Sequence, residues 1–167
     1  MAKNTIIQLL FFRRLFTLEL ASNCIETSDF IEYTNALDAI KILIEEKWIV
    51  KLTTKSGSYY QVKSTIVEFV HQKAELHPKL LEMKKYFFDQ LGQYYVLQLK
   101  GMEQTGQFDF INTHIENMLL ATSFSPLSQA QYICDTLLPY FEKFGPIARG
   151  VTMMKLLANR REREDKT

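Results

Sequence analysis

Few residues of this 167-residue chain are of a type that does chemistry: three histidines, two cysteines and some neighbouring carboxylates. His71 and His77 stand at a spacing that does not put both on one helical face, and His114 is remote from either. None sits beside a cysteine pair, so the short fixed His/Cys spacings that hold zinc are not formed. Cys24 and Cys134 are far apart and follow no metal or redox spacing, which reads as two reduced, buried thiols. No G-x-S-x-G elbow is present, and the six glycines build no phosphate-cradling loop. The adjacent acids Glu45–Glu46 and Glu164–Asp165 fall on faces that read as solvated, whereas general acid–base work needs a carboxylate held in a pocket. The expectation is therefore no catalytic residue, no metal and no cofactor.

Two other groupings suit binding. Lys51, Lys55 and Lys63 alternate with Tyr59 and Tyr60 around a Lys-Ser-Gly-Ser turn, and Asn35 and Lys41 precede them on a helix. On nucleic acid, Asn35 would read an adenine edge while the lysines met phosphates. Asp38 and Glu45 on the same helix would repel the polyanion, and the net charge of the chain is only +1. Lysines on a hairpin edge also protect a strand from pairing with other chains. The second grouping is Phe11, Phe12, Arg13, Arg14 and Phe16, an aromatic, cationic segment suited to a protein partner and only peripherally to a membrane. Its apolar run is shorter than the roughly 20 residues that span a bilayer, and its charges follow the run, unlike a secretory signal. A cytoplasmic chain is expected.

The elements that must position these residues are mainly α-helical. Apolar stripes through Leu9, Phe12 and Phe16, and through Ile7, Phe11, Leu15 and Leu18, predict one central helix over 5–22. Ser28 predicts a short helix containing Phe30 and Ile31. Thr34 or Asn35 caps the next helix, with Leu37, Ile40, Leu43, Ile44 and Trp48 at helical spacing. Alternation over 48–53 and the Gly57 turn predict a hairpin returning through 59–62. Helix, short helix, helix and hairpin is the winged-helix order. Further helices are expected from Ser64 to about Leu76, over 79–100, over 109–122 and over 127–144. A linker over 101–107 and an amphipathic last piece containing Val151, Met154, Leu156 and Leu157 complete the set. This predicts a winged-helix-like unit at 1–75, a helical bundle at 76–158 and a charged, mobile tail at 159–167.

FFRRLFTLEL (11–20) followed by ALDAIKILIEEKWIV (36–50), with QYYVLQL (93–99) and LLPYFEKF (137–144), resembles the region after the catalytic domain in the glycerol-3-phosphate and dihydroxyacetone-phosphate acyltransferase family. That family's reaction uses a His with an Asp five positions later. Here the corresponding residues are Leu76 after His71, Glu82 after His77 and Leu119 after His114, so no active-site residue carries over. The resemblance implies a non-catalytic accessory module that packs on a catalytic domain or another protein partner. The alternative is a small winged-helix transcription regulator, with Asn35, Lys41, Lys51, Lys55 and Lys63 on DNA and the C-terminal helices forming a homodimer.

Overall fold

A computed structural model describes residues 3–13, 15–27, 35–54, 57–102 and 104–164, with backbone alone at 104–107 and 164. Among these residues the chain is mainly helical, with a single two-stranded hairpin. It divides into two compact units, Met1–Phe87 and Phe88–Thr167.

The first unit opens with α1 (Lys3–Leu9) and α2 (Leu18–Cys24). The one long helix expected over 5–22 is thus two, and the reason is local. The Thr17 hydroxyl accepts a hydrogen bond from Leu20 N at 3.1 Å and starts α2 as an N-cap. Just before it, Phe16 is extended and exchanges two backbone hydrogen bonds with Tyr60, at 2.9 and 2.8 Å. Helix α3 (Ala36–Glu45) starts at Asn35, whose side chain accepts from Asp38 N. Strands β1 (Ile49–Thr54) and β2 (Gly57–Val62) pair antiparallel, Ile49 opposite Val62 and Thr54 opposite Gly57. Gly57 takes φ +136°, a conformation that side chains rarely allow. Helix α4 (Ser64–Glu75) follows, with Lys63 rather than Ser64 in the cap position and no side-chain cap bond.

The core of this unit is aromatic. Phe12 stacks on Phe16 with centroids 5.0 Å apart and meets the Phe87 ring edge-on at 4.8 Å. Ile7, Leu9, Leu20 and Ile40 are also fully buried in this unit. Such rings contribute about 1.5–3 kcal/mol each when removed from water. Gln8 is buried among these side chains and is satisfied reciprocally. Its amide nitrogen donates to Glu26 O at 3.2 Å, and its amide oxygen accepts from Glu26 N at 2.8 Å. That pair ties α1 to the chain beyond α2, at a position where sequence patterning suggests only an interruption of an apolar run.

Helix α5 (Leu80–Gly101) contributes Met83 and Phe87 to the first core and Leu91, Tyr94, Tyr95 and Leu99 to the second. The second unit adds α6 (Gln104–Phe124), α7 (Leu127–Phe144) and α8 (Ile147–Glu164). Most of the linker expected over 101–107 is the first turn of α6. Gly145, at φ +61°, ends α7 by donating its N–H to Phe141 O. The segment 159–164, expected as part of a mobile tail, continues α8. Arg160 donates to Thr122 O at 2.7 Å and Ser125 O at 2.6 Å, satisfying carbonyls at the end of α6. A guanidinium at a helix C-terminus also meets the negative end of its dipole.

Candidate functional site

The aromatic segment is divided by its environment. Phe12 and Phe16 are 6% and 1% exposed and belong to the core. Phe11 is half-buried, edge-on to Phe87 at 5.3 Å, and Lys84 Nζ lies 5.9 Å from its ring. Arg13 is exposed; Arg14 lies outside the described residues. Two of the three rings that suggested a partner surface, Phe12 and Phe16, are thus part of the first unit's own interior.

The α3–hairpin surface keeps its mixed charge. Asn35 is exposed, but its carboxamide oxygen is committed to the cap, 3.0 Å from Asp38 N. Lys41 pairs with Asp38 at 3.3 Å, and Glu45 and Glu46 are exposed on the same helix end. Lys51 and Lys63 are exposed on and beside the hairpin; Lys55 lies outside the described residues. Tyr59 and Tyr60 are both buried; Tyr60 stacks on Phe16 at 6.3 Å, and Tyr59, its neighbour on the strand, points to the opposite face of the hairpin. Ser28, Phe30, Ile31, Thr34 and the short helix expected there are outside the described residues.

The reactive side chains are spent on structure. Burial holds the Cys24 thiol far above its ordinary range. It pushes Cys134 up to about 11, with Asp135 adding to the rise and Arg161 opposing it. Neither is a thiolate near neutral pH, the form needed for nucleophilic attack. His77 Nδ1 accepts from Lys79 N at 3.2 Å, so the neutral ring carries its proton on Nε2 and donates to Asn4 Oδ1 at 3.1 Å. His114 stacks on Phe110 at 4.4 Å and meets Tyr95 edge-on at 5.9 Å; desolvation lowers its pKa to about 4. Among the described residues, no three His, Cys, Asp or Glu side chains group to hold a metal ion. No described helix is long and apolar enough to cross a membrane.

Besides Leu97 of α5 and Phe124 of α6, the second unit exposes apolar side chains on α7 and α8. Ile147, Val151, Met154 and Ala158 recur at helical spacing on the outer side of α8, while Gly150, Met153 and Leu157 face inward. With Leu138, Phe141 and Glu142 of α7, the outer row and Lys155 line a shallow groove of about 470 Å³. A side chain at Gly150 would meet the Phe141 ring at 3.4 Å, so the glycine lets the two helices approach. Phe144, 56% exposed at the end of α7, is not part of this groove; its ring meets Phe108 of α6 edge-on at 5.2 Å. Sequence reading assigned Val151 and Met154 to an amphipathic helix. The missed signal was that the helix extends to include Ile147, which lengthens the apolar row by one turn.

No family model matches the chain, and neither curated proteins nor solved structures match it.

Proposed function

We propose that this chain is a non-catalytic interaction module that self-associates through the α7–α8 groove. The observation that carries this reading is the exposed row Ile147, Val151 and Met154 facing a groove with one acid and one base on its rim. A two-fold related copy would place Glu142 of each chain opposite Lys155 of the other while covering both rows. The accessory role implied by the acyltransferase resemblance is kept in its general form, polypeptide contact without chemistry. Its location moves from the Phe11–Phe16 segment to α7 and α8.

Sedimentation of the full chain tests this. Wild type should be dimeric at micromolar concentration and Val151→Glu monomeric with unchanged helicity. Glu142→Lys should weaken the dimer, and Glu142→Lys with Lys155→Glu should restore it, since the exchange again sets opposite charges across the interface. A wild-type chain that stays monomeric removes the reading.

A second reading, a winged-helix regulator using the same dimer, is favoured by the extended bridge of Phe16 to Tyr60 placed between α1 and α2, and by the exposed Lys51 and Lys63. Anisotropy with random duplex at low salt separates the two. Binding that weakens steeply with salt and is lost in Lys51→Glu supports the regulator; no binding discards it.

A further inference from the structure

The first unit contains a cavity that neither reading above uses. Ile6 and Ile7 of α1, Ile42 and Leu43 of α3, Trp48, and Phe69 and Val70 of α4 enclose about 540 Å³. That volume lies within the roughly 300–1,000 Å³ of small-molecule sites, which are likewise mostly apolar with a few placed polar groups. Water inside it would find few hydrogen-bond partners, so displacement by an apolar body is favourable. Three charged side chains, Lys3, Glu46 and Lys73, complete the lining, giving it two cations and one anion. None of the three takes part in an ion pair among the described residues. The Lys73 ammonium lies 5.7 Å from the Phe69 ring, which places that charge against an apolar wall of the same cavity.

We infer that this cavity binds a small monoanionic amphiphile, its aliphatic or aromatic body among Ile6, Ile42, Trp48 and Phe69 and its carboxylate between Lys3 and Lys73. Glu46 disfavours a dianionic head, because the lining then holds only one net positive charge. An uncharged ligand of the same shape would fill the space but leave the net positive charge of the lining unneutralised. The inference is independent of self-association, since every lining residue belongs to the first unit.

Trp48 is the single tryptophan of the chain and a wall of the cavity, so its emission reports occupancy. The experiment titrates the full chain with 4-phenylbutyrate and, separately, with 4-phenylbutanol, which has the same apolar body without the charge. A saturable emission change with at least tenfold tighter binding of the acid is expected. In Lys3→Glu/Lys73→Glu, two substitutions at exposed positions that leave the core intact, that preference should vanish. The inference is overturned if neither ligand gives a saturable change, if acid and alcohol bind alike to wild type, or if the double variant keeps the preference with unchanged helicity.

Discussion

The segment Phe11–Phe16 and the α8 row Ile147–Met154 are both apolar stretches with arginine among them, yet they end in opposite environments. Phe12 and Phe16 are buried; Ile147 is 64% exposed. Large apolar side chains alone do not decide the outcome, since both stretches carry them. What separates them is whether the backbone can leave the helix. After Leu9 it does, and Phe16 pairs with Tyr60 while its ring stacks on Phe12, which in turn meets Phe87. Helix α8 runs unbroken from Ile147 to Glu164, so its second face has nowhere to turn and stays outside. An apolar stripe therefore marks a surface to be covered only when the chain's own geometry cannot cover it.

The sharpest test of that contrast substitutes one residue on each side. Phe16→Ala should destabilise the first unit by about 3–5 kcal/mol, since a ring buried on all sides leaves a cavity. Val151→Ala, measured at a concentration where the chain is monomeric, should change stability by no more than about 0.5 kcal/mol. Urea unfolding followed by circular dichroism measures both. Equal costs would mean that α8's outer face is internal, and the comparison would collapse.

If α8's outer row is surface, something other than that row must hold the second unit together, and one such place is the approach of α5 to the turn between α6 and α7. A side chain at Gly92 would fall 2.6 Å from Ser125 Cβ and clash with the Gln129 amide oxygen. Gln129 is held there by its bond to Asp89 at 3.1 Å. Gly92→Ala should cost about 1–3 kcal/mol through overpacking, although alanine is the better helix former. A stabilised variant would show that the helices separate at little cost.

The stretches legible in sequence were those where one local signal acts alone. Helix α3, the hairpin with its Gly57 turn, and the end of α7 at Gly145 all follow from periodicity and turn residues, although Leu37 of the expected α3 stripe is exposed and Ala36 and Ala39 are buried instead. The illegible ones depended on distant partners. The split of 5–22 needs Tyr60, which is far along the chain, to pair with Phe16. The helical course of 159–164 coincides with Arg160 reaching Thr122 and Ser125, carbonyls that no local pattern reveals as available. The groove was half-legible: Val151 and Met154 were visible, but the face they occupy depends on Met153 and Leu157 pointing inward.

The second unit also carries a group that makes its stability depend on acid. His114 has its pKa lowered to about 4 by desolvation, against an ordinary value of 6.5. The folded state thus binds fewer protons than the unfolded one between these values. Its contribution is fully present above pH 6.5 and is lost as pH falls through 4. At about 1.4 kcal/mol per unit, and with the ring only partly buried, the loss should reach about 1–3 kcal/mol. Denaturation midpoints at pH 7 and pH 4.5 measure it. His114→Phe, which keeps the stack on Phe110, should flatten this part of the profile; an unchanged slope would place the acid response elsewhere.

The smallest expected effect bears on how α3 should be read. Asn35 has one carboxamide, and its oxygen is already bonded to Asp38 N. If the cap is its function, Asn35→Ala should destabilise the first unit by about 1 kcal/mol, and Asn35→Asp should not, because aspartate caps equally well and suits the positive end of the helix dipole. Lys41→Ala should change stability by less than about 0.5 kcal/mol, since the Asp38 pair is exposed. A base-reading Asn35 gives the opposite ranking in a duplex-binding assay, where alanine and aspartate would both abolish contact and aspartate would add repulsion. Measuring stability and duplex binding on the same two variants therefore separates a residue that holds the helix end from one that reads a base.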